Sequence, residues 1–153
     1  MLEPSERSAD DRAAAKLTAE TTRGVGRHLV SRGYAVLTEF TLANNRRADV
    51  IGLSDGGTFA IVEVKVSVAD LRSDTKWPEY EDFCDRLYFA VPPGFPSERA
   101  PKRAGLIIAD SWGGEIVREA SEMGLHGSRR KALTLHFARA AAQRHQRLVD
   151  PRI

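Results

Sequence analysis

The sequence predicts a mixed α/β (α+β) fold, a central mixed β-sheet flanked by helices, on three observations. Helical periodicity runs from Ser8 to Ser31 and returns from Ser128 to Leu148. Between Tyr34 and Val66, three apolar runs rich in β-branched residues follow one another across polar turns. Further short apolar runs stand at Leu87–Val91, Leu106–Ala109 and Glu115–Arg118. The order is helix, three strands, helix, strand, extra strands and a closing helix, which gives a mixed sheet.

At 153 residues the chain is expected to form one domain, over residues 8–148, with loose tails at 1–7 and 149–153. Apolar residues at 42% and charged residues at 29% are ordinary for a globular protein. The apolar runs are strand-sized, so no membrane span is expected, and the acidic start, with Glu3, Glu6, Asp10 and Asp11, does not read as a signal peptide. A single cysteine, Cys84, allows no disulfide framework and suits a reducing, cytoplasmic compartment. A net charge of +2 does not by itself argue for nucleic acid. Its distribution is more informative, with seven Arg or Lys and one acidic residue in 128–153.

In the first helix Ala14, Leu17, Thr21, Gly24, Val25, His28 and Leu29 share one side, and Gly33 is placed to stop it. Glu20 lies at the edge of that stripe, where it can reach toward a neighbouring sheet. Strand Tyr34–Thr41 is expected to set Tyr34, Val36, Thr38 and Phe40 on one face and Ala35, Leu37 and Glu39 on the other. Asn44–Arg47 is a polar turn. After Val68 the chain turns polar, and Pro78 to Asp85 is a short helix candidate with proline in its first turn. Residues 92–104 hold four prolines and form a long loop, a candidate docking segment for a larger complex. Leu133, Phe137, Ala140, Ala141 and Leu148 form the expected buried side of the last helix. Trp77, Tyr80 and Phe83 read first as core contacts and Cys84 as a small buried hydrophobe. His28, His126, His136 and His145 lack zinc-ligand spacing.

The most informative stretch is Asp49 to Lys65. Two apolar runs flank Asp55-Gly56-Gly57, a strong hairpin signal, yet Glu63 and Lys65 interrupt the most hydrophobic segment. They share a strand face by alternation. If Asp55, Gly56 and Gly57 form a three-residue loop, Ser54 pairs with Thr58 and Asp49 falls opposite Glu63; a two-residue loop turns Asp49 away. Glycine at the third loop position favours the first arrangement. Two carboxylates converging beside an ammonium make a hard-cation site suited to Mg²⁺ or Mn²⁺. Such a site polarises phosphoryl oxygens, and Lys65 can stabilise charge developing on them, so phosphodiester hydrolysis is the expected reaction. Arg46 and Arg47 beside it suit a phosphate, and Arg129, Arg130, Lys131, Arg139 and Arg144 suit a DNA backbone.

Asp49 followed after thirteen residues by Glu63-Val64-Lys65 resembles the signature of the PD-(D/E)XK nuclease superfamily. More specifically, Phe40-Thr41-Leu42-Ala43-Asn44, Arg46-Arg47-Ala48-Asp49, Lys76-Trp77-Pro78-Glu79-Tyr80, Asp82-Phe83-Cys84-Asp85, Tyr88-Phe89-Ala90-Val91-Pro92-Pro93 and Arg130-Lys131-Ala132-Leu133-Thr134-Leu135 resemble the bacterial MmcB-like DNA repair family. The resemblance covers about residues 10–145. It implies a restriction-endonuclease-like core and a nuclease acting on DNA, nucleoid-associated in a bacterial cytoplasm. Asp49 and Glu63 would bind the metal, aided by the Val64 carbonyl, and Lys65 would be the catalytic base or transition-state stabiliser. Glu20 would be the acid that many members carry on the first helix. Lys76 and Tyr80 match the spacing of a Gln-x-x-x-Tyr motif that some members carry on the following helix, with lysine replacing the glutamine, and both are candidate DNA contacts. Ala48 stands where a proline often precedes the motif aspartate. The competing expectation is a non-catalytic DNA-binding module that keeps the fold as an accessory to repair-complex proteins.

Overall fold

A computed structural model describes residues 3–152. The chain forms helix α1 (Pro4–Ser31), strands β1 (Tyr34–Thr41), β2 (Arg47–Ser54) and β3 (Phe59–Val64), helix α2 (Val68–Ser73), a 3₁₀ helix (Trp77–Phe83), and strands β4 (Arg86–Val91), β5 (Gly105–Ala109) and β6 (Gly114–Arg118). Helix α3 (Gly127–Val149) closes it. The six strands form one sheet in sequential order. Pairings β1–β2, β2–β3 and β5–β6 are antiparallel, whereas β3–β4 and β4–β5 are parallel. The expected mixed sheet flanked by helices is the observed architecture.

Helix α1 starts earlier than the expected tail boundary. Pro4 occupies a first-turn position, where its missing N–H costs nothing, and the Glu3 N–H donates to the Glu6 carboxylate at 3.0 Å. Met1, Leu2 and Ile153, which fall in the expected tails, lie outside the described residues. Gly33, at φ +89°, ends α1 as anticipated. Helix α2 was not expected from the polar run after Val68. Ser67 caps it by accepting the Asp70 N–H at 3.1 Å, and Leu71 is its buried anchor.

Two cores lie on opposite faces of the sheet. Val25 and Leu29 of α1 pack on Val50, Val62, Tyr88 and Ile107. Leu133 and Phe137 of α3 pack on Phe40, Ile51, Phe59 and Ile61 on the other face. A third cluster, with Leu71, Phe89, Val91 and Leu106, underlies the loop after β4. Leu148, expected on the buried side of α3, is 79% exposed, because the α3 residues packed on the core end at Ala140.

Strict alternation fails in β1. Tyr34 and Val36 join the α1 core, but Leu37 and Phe40 both join the α3 core. Glu39, at φ +48°, takes a left-handed conformation that resets the alternation one residue before Phe40. Phe40 therefore stacks near His136 and Phe137, with ring centroids 4.5 and 6.0 Å away, and is not on the face of Tyr34.

Asp85, 1% exposed, ties these layers together. Its carboxylate accepts the Phe59 N–H at 2.8 Å, the Leu125 N–H at 2.9 Å and both terminal nitrogens of Arg130 at 2.7 and 2.8 Å. Arg130, foremost through these hydrogen bonds, holds the Asp85 pKa down at about 2. A single buried carboxylate thus fixes the start of β3, the irregular segment after β6 and the first turn of α3.

Candidate functional site

The site begins at the loop between β2 and β3. The Ser54 N–H donates to the Thr58 carbonyl at 2.9 Å, and Gly57 adopts φ +88°. This is the three-residue loop, with glycine at the position where a Cβ would be strained. Pairing then runs from Leu53–Phe59 to Val50–Val62 and stops one pair short of Asp49 and Glu63. There, side chains replace the backbone ladder. The Val64 N–H donates to Asp49 Oδ2 at 2.8 Å, and the Asp49 N–H donates to Glu63 Oε1 at 3.3 Å. The two carboxyl groups are drawn together where the strands part.

Glu63 is 5% exposed and forms no salt bridge among the described residues. Burial first, then the charge and side-chain hydrogen bond of Asp49, push its pKa up to about 9. Burial beside Asp49 therefore favours the neutral form of the Glu63 carboxyl. Lys65 follows Glu63 by two residues, but its Nζ pairs with Asp74 Oδ2 at 2.8 Å in a largely buried contact. Burial raises the Asp74 pKa, and the hydrogen bond and charge of Lys65 outweigh it, for a net lowering. Asp74 was not singled out as a site residue; only the chain path after α2 brings it to Lys65.

The other expected residues separate into distinct places. Tyr80 is buried, and its hydroxyl donates to the Arg47 carbonyl at 2.9 Å. Burial, then the charges of Glu63 and Asp49, raise its pKa. It braces the start of β2. Lys76 is exposed, and its N–H donates to Asp74 Oδ1 at 3.0 Å. Arg47 is exposed, while Arg46 pairs with Glu79 beside it. Arg130 pairs with Asp85, while Arg129 and Lys131 are exposed. Arg129 stands over the Phe83 ring at 4.7 Å and donates to the Asp82 carbonyl. Arg144 likewise donates to the carbonyls of Thr38 and Glu39, tying α3 to the left-handed residue of β1.

Glu20 faces Lys16 at 3.8 Å on α1. A cleft between α1 and the sheet reaches Asp49 past Ala19, Thr22, Arg23, Thr38 and Glu39, and Glu20 does not line it. Among the described residues, no third His, Cys, Asp or Glu joins Asp49 and Glu63 to complete a metal-sized cluster. Val64, whose carbonyl was the further expected ligand, is the last residue of β3, between Glu63 and Lys65. No helix among the described residues is long and apolar enough to cross a membrane.

A protein of unknown function from Silicibacter pomeroyi has a solved structure with the same fold, at 44% sequence identity and a TM-score of 0.84. The match covers 88% of this chain and 92% of that one. No curated protein matches the chain. The family described as DNA repair protein MmcB-like matches residues 5–152, nearly its whole length. The chain belongs to the MmcB-like family of DNA repair proteins.

Proposed function

We propose that this DNA repair protein is a PD-(D/E)XK-type, divalent-metal-dependent nuclease that hydrolyses phosphodiester bonds in DNA. The observation that carries the proposal is the convergence of the Asp49 and Glu63 carboxyls at the point where β2 and β3 part, with Lys65 at the next same-face position. The donor set fits Mg²⁺ or Mn²⁺. Two carboxylates, one buried and without a cationic partner, offer hard oxygen ligands, and Mg²⁺ fills its remaining positions with water. Asp49 and Glu63 would hold the ion, with the Val64 carbonyl as a further oxygen donor.

A bound divalent ion supplies Lewis acidity toward a phosphoryl oxygen. The chain's own groups do the rest. Glu63 would ligate the cation as its carboxylate, with its proton released to solvent. Lys65, oriented by Asp74, stabilises negative charge developing on the phosphoryl oxygens. Tyr80 holds β2 through Arg47, so that Asp49 meets Glu63 in register. Exposed Arg47, with Arg46 beside it, positions the phosphate. Glu20 would act only by swinging from Lys16 toward the cleft.

The test is cleavage of single-stranded, duplex and branched DNA by the full chain with Mg²⁺, Mn²⁺ or EDTA. Metal-dependent products that vanish in Glu63→Ala and Lys65→Ala are expected; no cleavage by the wild type, or equal cleavage by the variants, would falsify the proposal. The Lys65–Asp74 pair also favours a second reading, a DNA-binding accessory without catalysis, because the ammonium is already engaged. That reading predicts metal-independent DNA retention that survives Glu63→Ala and weakens with salt.

A further inference from the structure

Trp112 stands 75% exposed at the turn between β5 and β6. An indole this exposed is unusual, and its surroundings are built rather than loose. Asp110 Oδ1 accepts the N–H groups of Trp112 and Gly113 at 2.9 and 3.2 Å, and the Asp110 N–H donates to the Gly113 carbonyl at 2.9 Å. The turn is seated directly on α1 at Gly24, where a Cβ would fall 1.8 Å from the Asp110 carbonyl oxygen. One turn along α1, the Arg27 guanidinium lies over the indole, 5.8 Å from its centroid.

This platform borders the cleft that reaches Asp49. The groove at Trp112 is lined by Arg23, Gly26, Arg27 and Val36, and the cleft at Asp49 also has Arg23 and Gly26 in its wall. Gly26 leaves the passage open, since a Cβ there would meet nothing within 4 Å. An exposed aromatic ring, two guanidinium groups and a shared groove therefore lie in line along α1, leading to one of the paired carboxylates. Glu39 also lines the Asp49 end, so the cationic character belongs to the Trp112 end and the acidic character to the carboxyl end.

We propose that this groove is a track for single-stranded DNA, in which an unpaired base stacks on Trp112 while Arg27 and Arg23 contact the flanking phosphates and direct the strand toward Asp49. Base stacking needs one open aromatic face, which an indole 75% exposed still offers with Arg27 over one side, and a duplex keeps its bases inside the helix. The chemistry therefore selects unpaired over paired strands. The inference rests on the nuclease reading for its destination, but the binding step stands apart from cleavage.

The experiment is fluorescence anisotropy of a labelled oligothymidylate and of a duplex of equal length, with the full chain in EDTA. Wild type is expected to bind the single strand more tightly. Trp112→Ala should weaken that binding about 5- to 150-fold, the loss expected for one base–aromatic stack, and leave duplex binding nearly unchanged. Trp112→Phe should retain most of the affinity, and Arg27→Ala should flatten the salt dependence. Equal affinity of wild type and Trp112→Ala for the single strand overturns the proposal, as does equal loss on both DNAs. It is also overturned if Trp112→Ala abolishes self-association in sedimentation without changing DNA binding, since the ring would then serve a second copy of the chain. Because metal is absent, a failure of the nuclease reading appears only in the cleavage assay, and the two outcomes remain separable.

Discussion

Replacing Glu63 with glutamine should stabilise the metal-free protein, although glutamic acid is the group proposed to bind the metal. Glu63 is 5% exposed, and burial together with Asp49 raises its pKa from 4.5 to about 9. The unfolded chain releases this proton near pH 4.5, while the folded chain keeps it. Stability from this site is therefore complete below about pH 4.5 and falls as pH rises toward about 9. At pH 7 the window already spans 2.5 pKa units above 4.5, at about 1.4 kcal/mol each, so the carboxyl costs roughly 3 kcal/mol. That figure holds for any folded pKa above 7. Glutamine mimics the protonated acid, and its amide can donate to Asp49 while its oxygen accepts the Asp49 N–H. Urea denaturation in EDTA should show Glu63→Gln within about 1 kcal/mol of wild type near pH 5 and roughly 3 kcal/mol more stable near pH 7. Saturating Mg²⁺ should raise the wild type by about 3 kcal/mol at a hundredfold excess over its Kd, and leave the variant almost unmoved. Equal stability of the two proteins near pH 8 in EDTA would refute the electrostatic account. Equal gains from Mg²⁺ would refute the ligand assignment.

Three further outcomes follow from the geometry. Lys65→Ala should lower metal-dependent cleavage by about 100-fold or more while keeping the Mg²⁺-induced thermal shift, because it removes charge stabilisation and not a ligand; loss of both effects would place Lys65 in cation binding. Asp85→Ala removes the acceptor of the Phe59 and Leu125 N–H groups and the only carboxylate partner of Arg130 among the described residues, leaving that guanidinium the Gly57 and Leu125 carbonyls, and should cost about 3–5 kcal/mol by chemical denaturation. Its depressed pKa adds an acid signature: the wild type should lose roughly 2 kcal/mol as pH falls from about 3.8 through about 2, a step that Asp85→Ala lacks. Gly24→Ala forces a Cβ to within 1.8 Å of a backbone oxygen and should destabilise by about 1–3 kcal/mol or more, whereas Gly26→Ala, in open space on the same helix, should gain about 0.5–1 kcal/mol. A pair of melting curves that place both alanine variants on the same side of wild type contradicts the close seating of the β5–β6 turn.

The carboxyl pair links local geometry to chemistry. Backbone pairing between β2 and β3 brings Asp49 and Glu63 to the same level, and the opening of the ladder beyond Val50–Val62 then lets their side chains converge. A continued regular ladder would bond the Val64 N–H to backbone and leave the Asp49 carboxylate free to turn outward. The left-handed residue Glu39 lies on the adjoining strand at this level, and Arg144 holds its carbonyl from α3. The irregular backbone is thus concentrated around the candidate site, as strain often is where side chains must be aimed.

The sequence by itself determined the succession of strands along the chain, the glycine stop of α1, the three-residue loop and the level at which Asp49 meets Glu63. Each of these depends on residues close in the chain: alternation along a strand, a glycine able to take positive φ, and a register counted outward from one turn. Only the tertiary structure decided what surrounds the pair. Lys65 is engaged by Asp74, Arg130 is taken from the basic surface by Asp85, and Tyr80 is folded under β2, all through contacts between different elements. The reset at Glu39 was equally hidden, because its left-handed backbone carries no glycine to announce it. Local pattern set the level of the two carboxylates; burial and long-range pairing set which of their neighbours are available to act.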